Sequence, residues 1–88
     1  MTTIWKFPLR LEDKQTVRIP QDAVVLSVQD QFGGMVLWAM VNDTNKQVDR
    51  AIYIFDTGEE LAPDLDATYV GTVQQGRYVA HIFIGDEP

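Results

Sequence analysis

The sequence contains no cysteine, one histidine and one serine. No apolar run approaches the ~18 residues that a membrane-spanning helix needs. The first absence excludes disulfides, thiolate metal sites and cysteine nucleophiles. A lone histidine excludes a multi-histidine metal centre, and Ser27 has no Gly-x-Ser-x-Gly elbow around it. No signal-peptide pattern opens the chain, so a soluble protein of a cytoplasm is expected. What remains is 88 residues, 45% of them hydrophobic, enough for one small core and one domain spanning residues 1–88.

Basic residues are also scarce, 7 against 13 acidic, for a net charge of −6. The imbalance is local. Lys6, Arg10, Lys14 and Arg18 outnumber Glu12 and Asp13 in the first twenty residues. From residue 56 onward, Asp56, Glu59, Glu60, Asp64, Asp66, Asp86 and Glu87 face Arg77 alone. Nucleic-acid binding requires a clustered cationic footprint, which this distribution does not offer. An acidic face suits solubility, or a basic protein surface.

Seven segments rich in β-branched and aromatic residues lie between turn residues, near 3–10, 15–20, 23–32, 35–42, 47–56, 67–74 and 78–84. This spacing predicts an all-β fold, an antiparallel sandwich or partly open barrel of about seven short strands. Gly33-Gly34 suits a two-residue hairpin turn, setting Phe32 opposite Met35 and Val28 opposite Ala39. One face of that hairpin then carries Val24, Leu26, Val28, Phe32, Met35, Leu37, Ala39 and Val41 as core, with Asp30 intruding.

The four residues Asp43–Lys46 would fold 47–56 back beside 35–42, placing Tyr53 opposite Val36 and Ala51 opposite Trp38. The other face of this ribbon is then an apolar strip of Val36, Trp38, Met40, Tyr53 and Phe55, with Ile52 and Ile54 turned to the core. A second sheet of the same domain would cover the strip; otherwise it is a partner-binding patch or a dimer interface. At the N-terminus, a turn at Glu12-Asp13-Lys14 would align Leu9 with Val17 and Phe7 with Ile19, on one face with Trp5 and Leu11. Pro8 confines that strand to a sheet edge. The last hairpin turns near Gln75-Gly76, grouping Tyr69, Val73, Tyr78, Ala80 and Ile82 on one side.

Candidate chemistry is sparse. His81 lies mid-strand with no motif supplying a nucleophile or carboxylate, so it reads as a hydrogen-bonded strand histidine. The 56–66 segment holds Asp56, Glu59, Glu60, Asp64 and Asp66 without the spacing of a calcium loop, and Asp43, Asn45 and Asp49 form a weaker oxygen cluster. No cofactor or metal is expected. Trp5 and Trp38 could stack bases only beside a cationic groove, and the net charge has the wrong sign.

Several stretches in order carry a resemblance: Thr3-Ile4-Trp5-Lys6-Phe7-Pro8-Leu9, Ile19-Pro20, Ala23-Val24-Val25-Leu26-Ser27-Val28-Gln29 and Leu37-Trp38-Ala39 with Val41. Thr57-Gly58, Tyr69-Val70-Gly71-Thr72 and His81-Ile82-Phe83 complete it. Together they resemble a family of small uncharacterised proteins of bacteriophages and their hosts. Gln21-Asp22 departs where a glycine is expected before the alanine, and Asn42-Asp43 where Asp-Pro is expected. The resemblance implies phage or prophage origin and a small β domain, and carries over no activity.

The function expected is a non-enzymatic accessory protein that binds a host or phage protein in the host cytoplasm, antagonism of antiviral defence being one purpose. Its surfaces would be the strip Val36, Trp38, Met40, Tyr53 and Phe55, and the acidic residues Asp56, Glu59, Glu60, Asp64 and Asp66. The alternatives are a minor structural or assembly component of a phage particle, working as a homo-oligomer, and a small ligand-binding or enzymatic domain using His81.

Overall fold

The computed structural model describes all 88 residues as seven antiparallel strands without a helix. They are β1 (Thr2–Leu9), β2 (Lys14–Pro20), β3 (Val24–Gln31), β4 (Gly34–Asn42), β5 (Gln47–Asp56), β6 (Ala67–Gln75) and β7 (Tyr78–Gly85). Each lies within one residue of the segment read from the sequence. They form a three-stranded sheet in the order β1-β4-β3 and a four-stranded sheet in the order β2-β5-β7-β6. The sheets pack face to face as a sandwich, and no barrel closes.

Which strands pair differs from the sequence expectation. β4 lies between β1 and β3, while β5 belongs to the other sheet, between β2 and β7. The Asp43–Lys46 turn therefore crosses between sheets instead of closing a hairpin. β1 and β2 also part, so Leu9 and Val17 meet across the core and not along a ladder. The crossings are tied down by polar contacts. Gln15, the one buried polar side chain, accepts from Arg10 N–H at 2.9 Å and donates to Arg10 C=O at 2.7 Å, pinning the 10–13 connection. Gln21 N–H donates to Lys46 C=O at 2.8 Å, and Asn45 Nδ2 donates to Gln21 C=O at 2.9 Å, joining the two crossings at the other end. Pro8 does sit on an edge strand, as its missing N–H requires.

The hairpin registers shift for local reasons. Gln31 pairs with Gly34, so the turn residues are Phe32 and Gly33, with φ of 52° and 84°. Two positive φ values in a two-residue loop follow the right-handed twist of the strands. Phe32 is thereby fully exposed at the tip instead of in the core. Val28 falls opposite Leu37, and both are buried. Beyond it, Leu26 is an extra residue in a β-bulge between Val25 and Ser27. One inserted residue reverses which side chains point inward. Val25 packs on the core, whereas Val24 and Leu26, expected inside, are exposed.

A bulge at Val70 does the same in β6, turning Tyr69 outward opposite Phe83 while Val73 and Ala80 stay inside. Leu11, just beyond β1, is also exposed. The core is then Leu9, Val28, Met35 and Leu37 of one sheet against Val17, Ile52, Ile54, Val73, Ala80, Ile82 and Ile84 of the other. Ile19, Ala39 and Val41 make a smaller cluster with Trp5 and Phe7 beside them.

Candidate functional site

Because β4 and β5 occupy different sheets, the expected strip is divided between opposite outer faces. Trp38 and Met40 lie on the outside of the three-stranded sheet, and Val36, on the same side of β4, is buried by its neighbours and offers no surface to a partner; Tyr53 and Phe55 lie half-buried on the outside of the four-stranded sheet. No second sheet of the domain covers either group.

On the three-stranded sheet, register puts Ile4, Met40 and Val24 in one row across all three strands, and Lys6, Trp38 and Ser27 in the next. Ile4, Val24, Leu26 and Met40 are 58%, 50%, 48% and 39% exposed. Trp38 is half-buried beneath Lys6, whose Nζ stands 6.0 Å from the ring centroid and donates to Gln31 Oε1 at 2.7 Å. The indole Nε1 of Trp38 is buried without a hydrogen-bond partner. A contiguous exposed apolar face is an unusual surface for a small acidic domain. Ile4, Val24 and Leu26 escaped the sequence reading because the bulge, invisible as periodicity, decides where two of them point.

The outer face of the four-stranded sheet is aromatic. Lys14, Tyr53, Phe83 and Tyr69 share one row across β2, β5, β7 and β6, with Phe55, His81 and Thr72 in the next. Phe83 meets Phe55 and Tyr69 edge-on, with ring centroids 5.6 and 5.5 Å apart, and Tyr53 and Phe55 lie parallel at 6.5 Å. Such edge contacts stabilise cross-strand pairs. Both ring nitrogens of His81 are engaged: Nε2 with Thr57 Oγ1 at 2.7 Å, and Nδ1 with Thr72 Oγ1 at 2.9 Å. Thr72 Oγ1 in turn meets the Tyr69 hydroxyl at 2.6 Å. The partners of His81 are therefore hydroxyls, not a carboxylate.

The acidic residues of 56–66 are exposed along the connection from β5 to β6, which skips β7. The connection opens with a turn in which Glu59 N–H donates to Asp56 C=O and Asp56 N–H donates to Glu59 Oε1. No three acidic or histidine side chains converge in a way that could hold a metal ion. An open depression of about 250 Å³ lies beside this turn, lined by Asp56, Thr57, Arg77, Tyr78 and Val79. Burial, followed by the charges of Asp56, Asp13 and Glu59, pushes the Tyr78 phenol above its ordinary pKa.

The strand order and the surface define the class: a small acidic antiparallel β-sandwich with an exposed apolar sheet face. Residues 1–88 match the family model described as "Domain of unknown function (DUF7352)", and the chain belongs to that family. No curated protein and no solved structure matches it.

Proposed function

We propose that the protein is a non-enzymatic interaction module that binds another protein through the outer face of its three-stranded sheet. The observation that carries this reading is the row Ile4, Met40 and Val24, extended by Leu26 and Trp38: apolar side chains in water on a rigid sheet. His81 has threonine hydroxyls on both ring nitrogens and no carboxylate to orient it, so the arrangement lacks the third member of a triad. The sequence resemblance to phage and prophage proteins supports a host or phage protein as the partner and the host cytoplasm as the place. Antagonism of a host system such as antiviral defence is the purpose this proposal carries, by analogy.

Affinity capture from bacterial lysate, followed by titration of the purified captured protein, tests the reading. Val24→Lys places a charge within the apolar row and abolishes binding. Glu59→Lys/Glu60→Lys, on the acidic connection, preserves it. Burial-driven binding changes little between low and high salt, whereas loss on salt addition together with sensitivity to the acidic variant overturns the assignment.

A further inference from the structure

Of the four edge strands, β3 and β6 approach each other, which leaves β1 in one sheet and β2 in the other with no strand beside them. The direction of their backbone groups follows from bonds at the strand ends. Asp43 N–H donates to Met1 C=O at 3.1 Å, so odd-numbered residues of β1 exchange hydrogen bonds with β4. Thr2, Ile4 and Lys6 therefore present N–H and C=O groups outward, and Pro8, of the same parity, presents only its carbonyl. Likewise Gln21 N–H donates to Lys46 C=O and Ile54 N–H to Asp13 C=O, which turns Lys14, Thr16 and Arg18 of β2 outward.

We propose that a second copy of the chain adds to the β1 edge, antiparallel about Ile4, joining the two three-stranded sheets into one. In that register Ile4 faces Ile4 of the second copy, and Thr2 faces Lys6 in both directions. Every outward N–H of this window has a carbonyl opposite it, giving about six backbone hydrogen bonds. Pro8 falls outside the window. Any register that brings it inside lacks a donor, so proline fixes the pairing and stops it from lengthening.

Charge favours this edge over the other. Lys6 would meet Thr2 at the end of the strand where Asp43 lies. The equivalent pairing of β2 about Thr16 would set Lys14 against Arg18 of the second copy, two like-charge oppositions. Pairing at the β1 edge brings the two Ile4 side chains together on the outer face and makes the exposed apolar rows continuous, doubling the face available to a partner.

Sedimentation equilibrium of the full chain from about 1 to about 300 µM tests this, a range suited to the weak association expected of a small interface. The expected result is a reversible dimer of the 10.0 kDa chain. Ile4→Pro removes one outward N–H without touching the β4 ladder and weakens the dimer at least about tenfold. Thr16→Pro, its counterpart on β2, leaves the dimer intact. Val24→Lys, two strands from the axis, also leaves it intact while abolishing partner binding, so the two proposals fail separately.

A chain that stays monomeric at the top concentration overturns the dimer, as does a dimer insensitive to Ile4→Pro or abolished by Val24→Lys. Near-ultraviolet circular dichroism reports whether Ile4→Pro folds. If it does not, cysteine pairing decides. The opposed Cα atoms would lie about 5.5 Å apart, within disulfide range. Ile4→Cys should then cross-link between chains under mild oxidation and Thr16→Cys should not; no cross-link at Ile4 overturns the proposal.

Discussion

Phe32 occupies the first central position of the β3–β4 turn with φ of 52°, fully exposed to water. A left-handed conformation costs an L-residue roughly 1–2 kcal/mol, because Cβ approaches the following carbonyl. Asparagine lowers much of that cost through local hydrogen bonding, and it is the favoured residue before glycine in such turns. The phenyl ring is in water both before and after folding, so removing it forfeits little burial. Phe32→Asn should therefore stabilise the fold by about 1 kcal/mol, raising the melting temperature by roughly 4–8 °C for a domain of this size. Phe32→Val should act in the opposite direction, since a branched Cβ tolerates this region least. Urea denaturation monitored by tryptophan fluorescence gives both values, with an unchanged m-value showing that only stability moved. An unchanged or lowered midpoint for Phe32→Asn would refute the strain assigned to this turn. So would a stabilising valine.

Core and bulge positions should separate sharply by the same assay. Leu37→Ala, at a side chain with no exposure, should cost about 2–5 kcal/mol, whereas Leu26→Ala should stay within about 0.5 kcal/mol. Equal costs would mean that Leu26 points inward and the bulge is absent. A Cβ added at Gly71 would stand 3.0 Å from Val28 Cγ1, where β3 and β6 approach. Gly71→Ala should destabilise by about 1–3 kcal/mol and be partly rescued by Val28→Ala, a coupling that a double-mutant cycle reads directly. For Tyr78 the folded-state pKa is raised, first by burial and then by Asp56. Its contribution to stability is present below its unfolded pKa and is lost as pH rises from about 10 through the folded value. Tyr78→Phe should flatten that alkaline loss and remove a late component from the tyrosinate absorbance titration.

Strand positions were legible because period-two alternation and turn residues are local signals, and Pro8 alone marked β1 as an edge. Ile52 and Ile54 were placed inward from alternation within one strand, which holds whatever that strand pairs with. Pairing is not local. The sequence around Asp43–Lys46 suits a hairpin and an inter-sheet crossing equally well. Its crossing role depends on Gln21 and Asn45 meeting across more than twenty residues of chain. The strip joining Trp38 to Tyr53 was inferred from that hairpin, so it divided when β5 proved to lie in the other sheet. His81 as a hydrogen-bonded strand residue was readable from its setting, but its partners Thr57 and Thr72 lie 24 and 9 residues away in sequence.

The two bulges explain why the surface was harder to read than the core. They sit on β3 and β6, the edge strands that approach each other where Val28 meets Gly71, with Gln75 Nε2 donating to Asp30 Oδ1 at 2.6 Å nearby. An extra residue there increases the local twist. It also reverses the alternation for everything beyond it. In β3 the reversal withdraws Val24 and Leu26 from the core and adds them to Ile4, Met40 and Trp38 outside; in β6 it sends Tyr69 out to Phe83. A strict alternation through Leu26 would have kept Val24 and Leu26 inside and set Val25 opposite Met40, so the bulge exchanges one valine for another in the row and adds Leu26 beside it. The row itself follows from ordinary alternation in β1 and β4; what the irregular residue adds is Leu26, a large apolar side chain turned to water beside that row where regular alternation would have buried it.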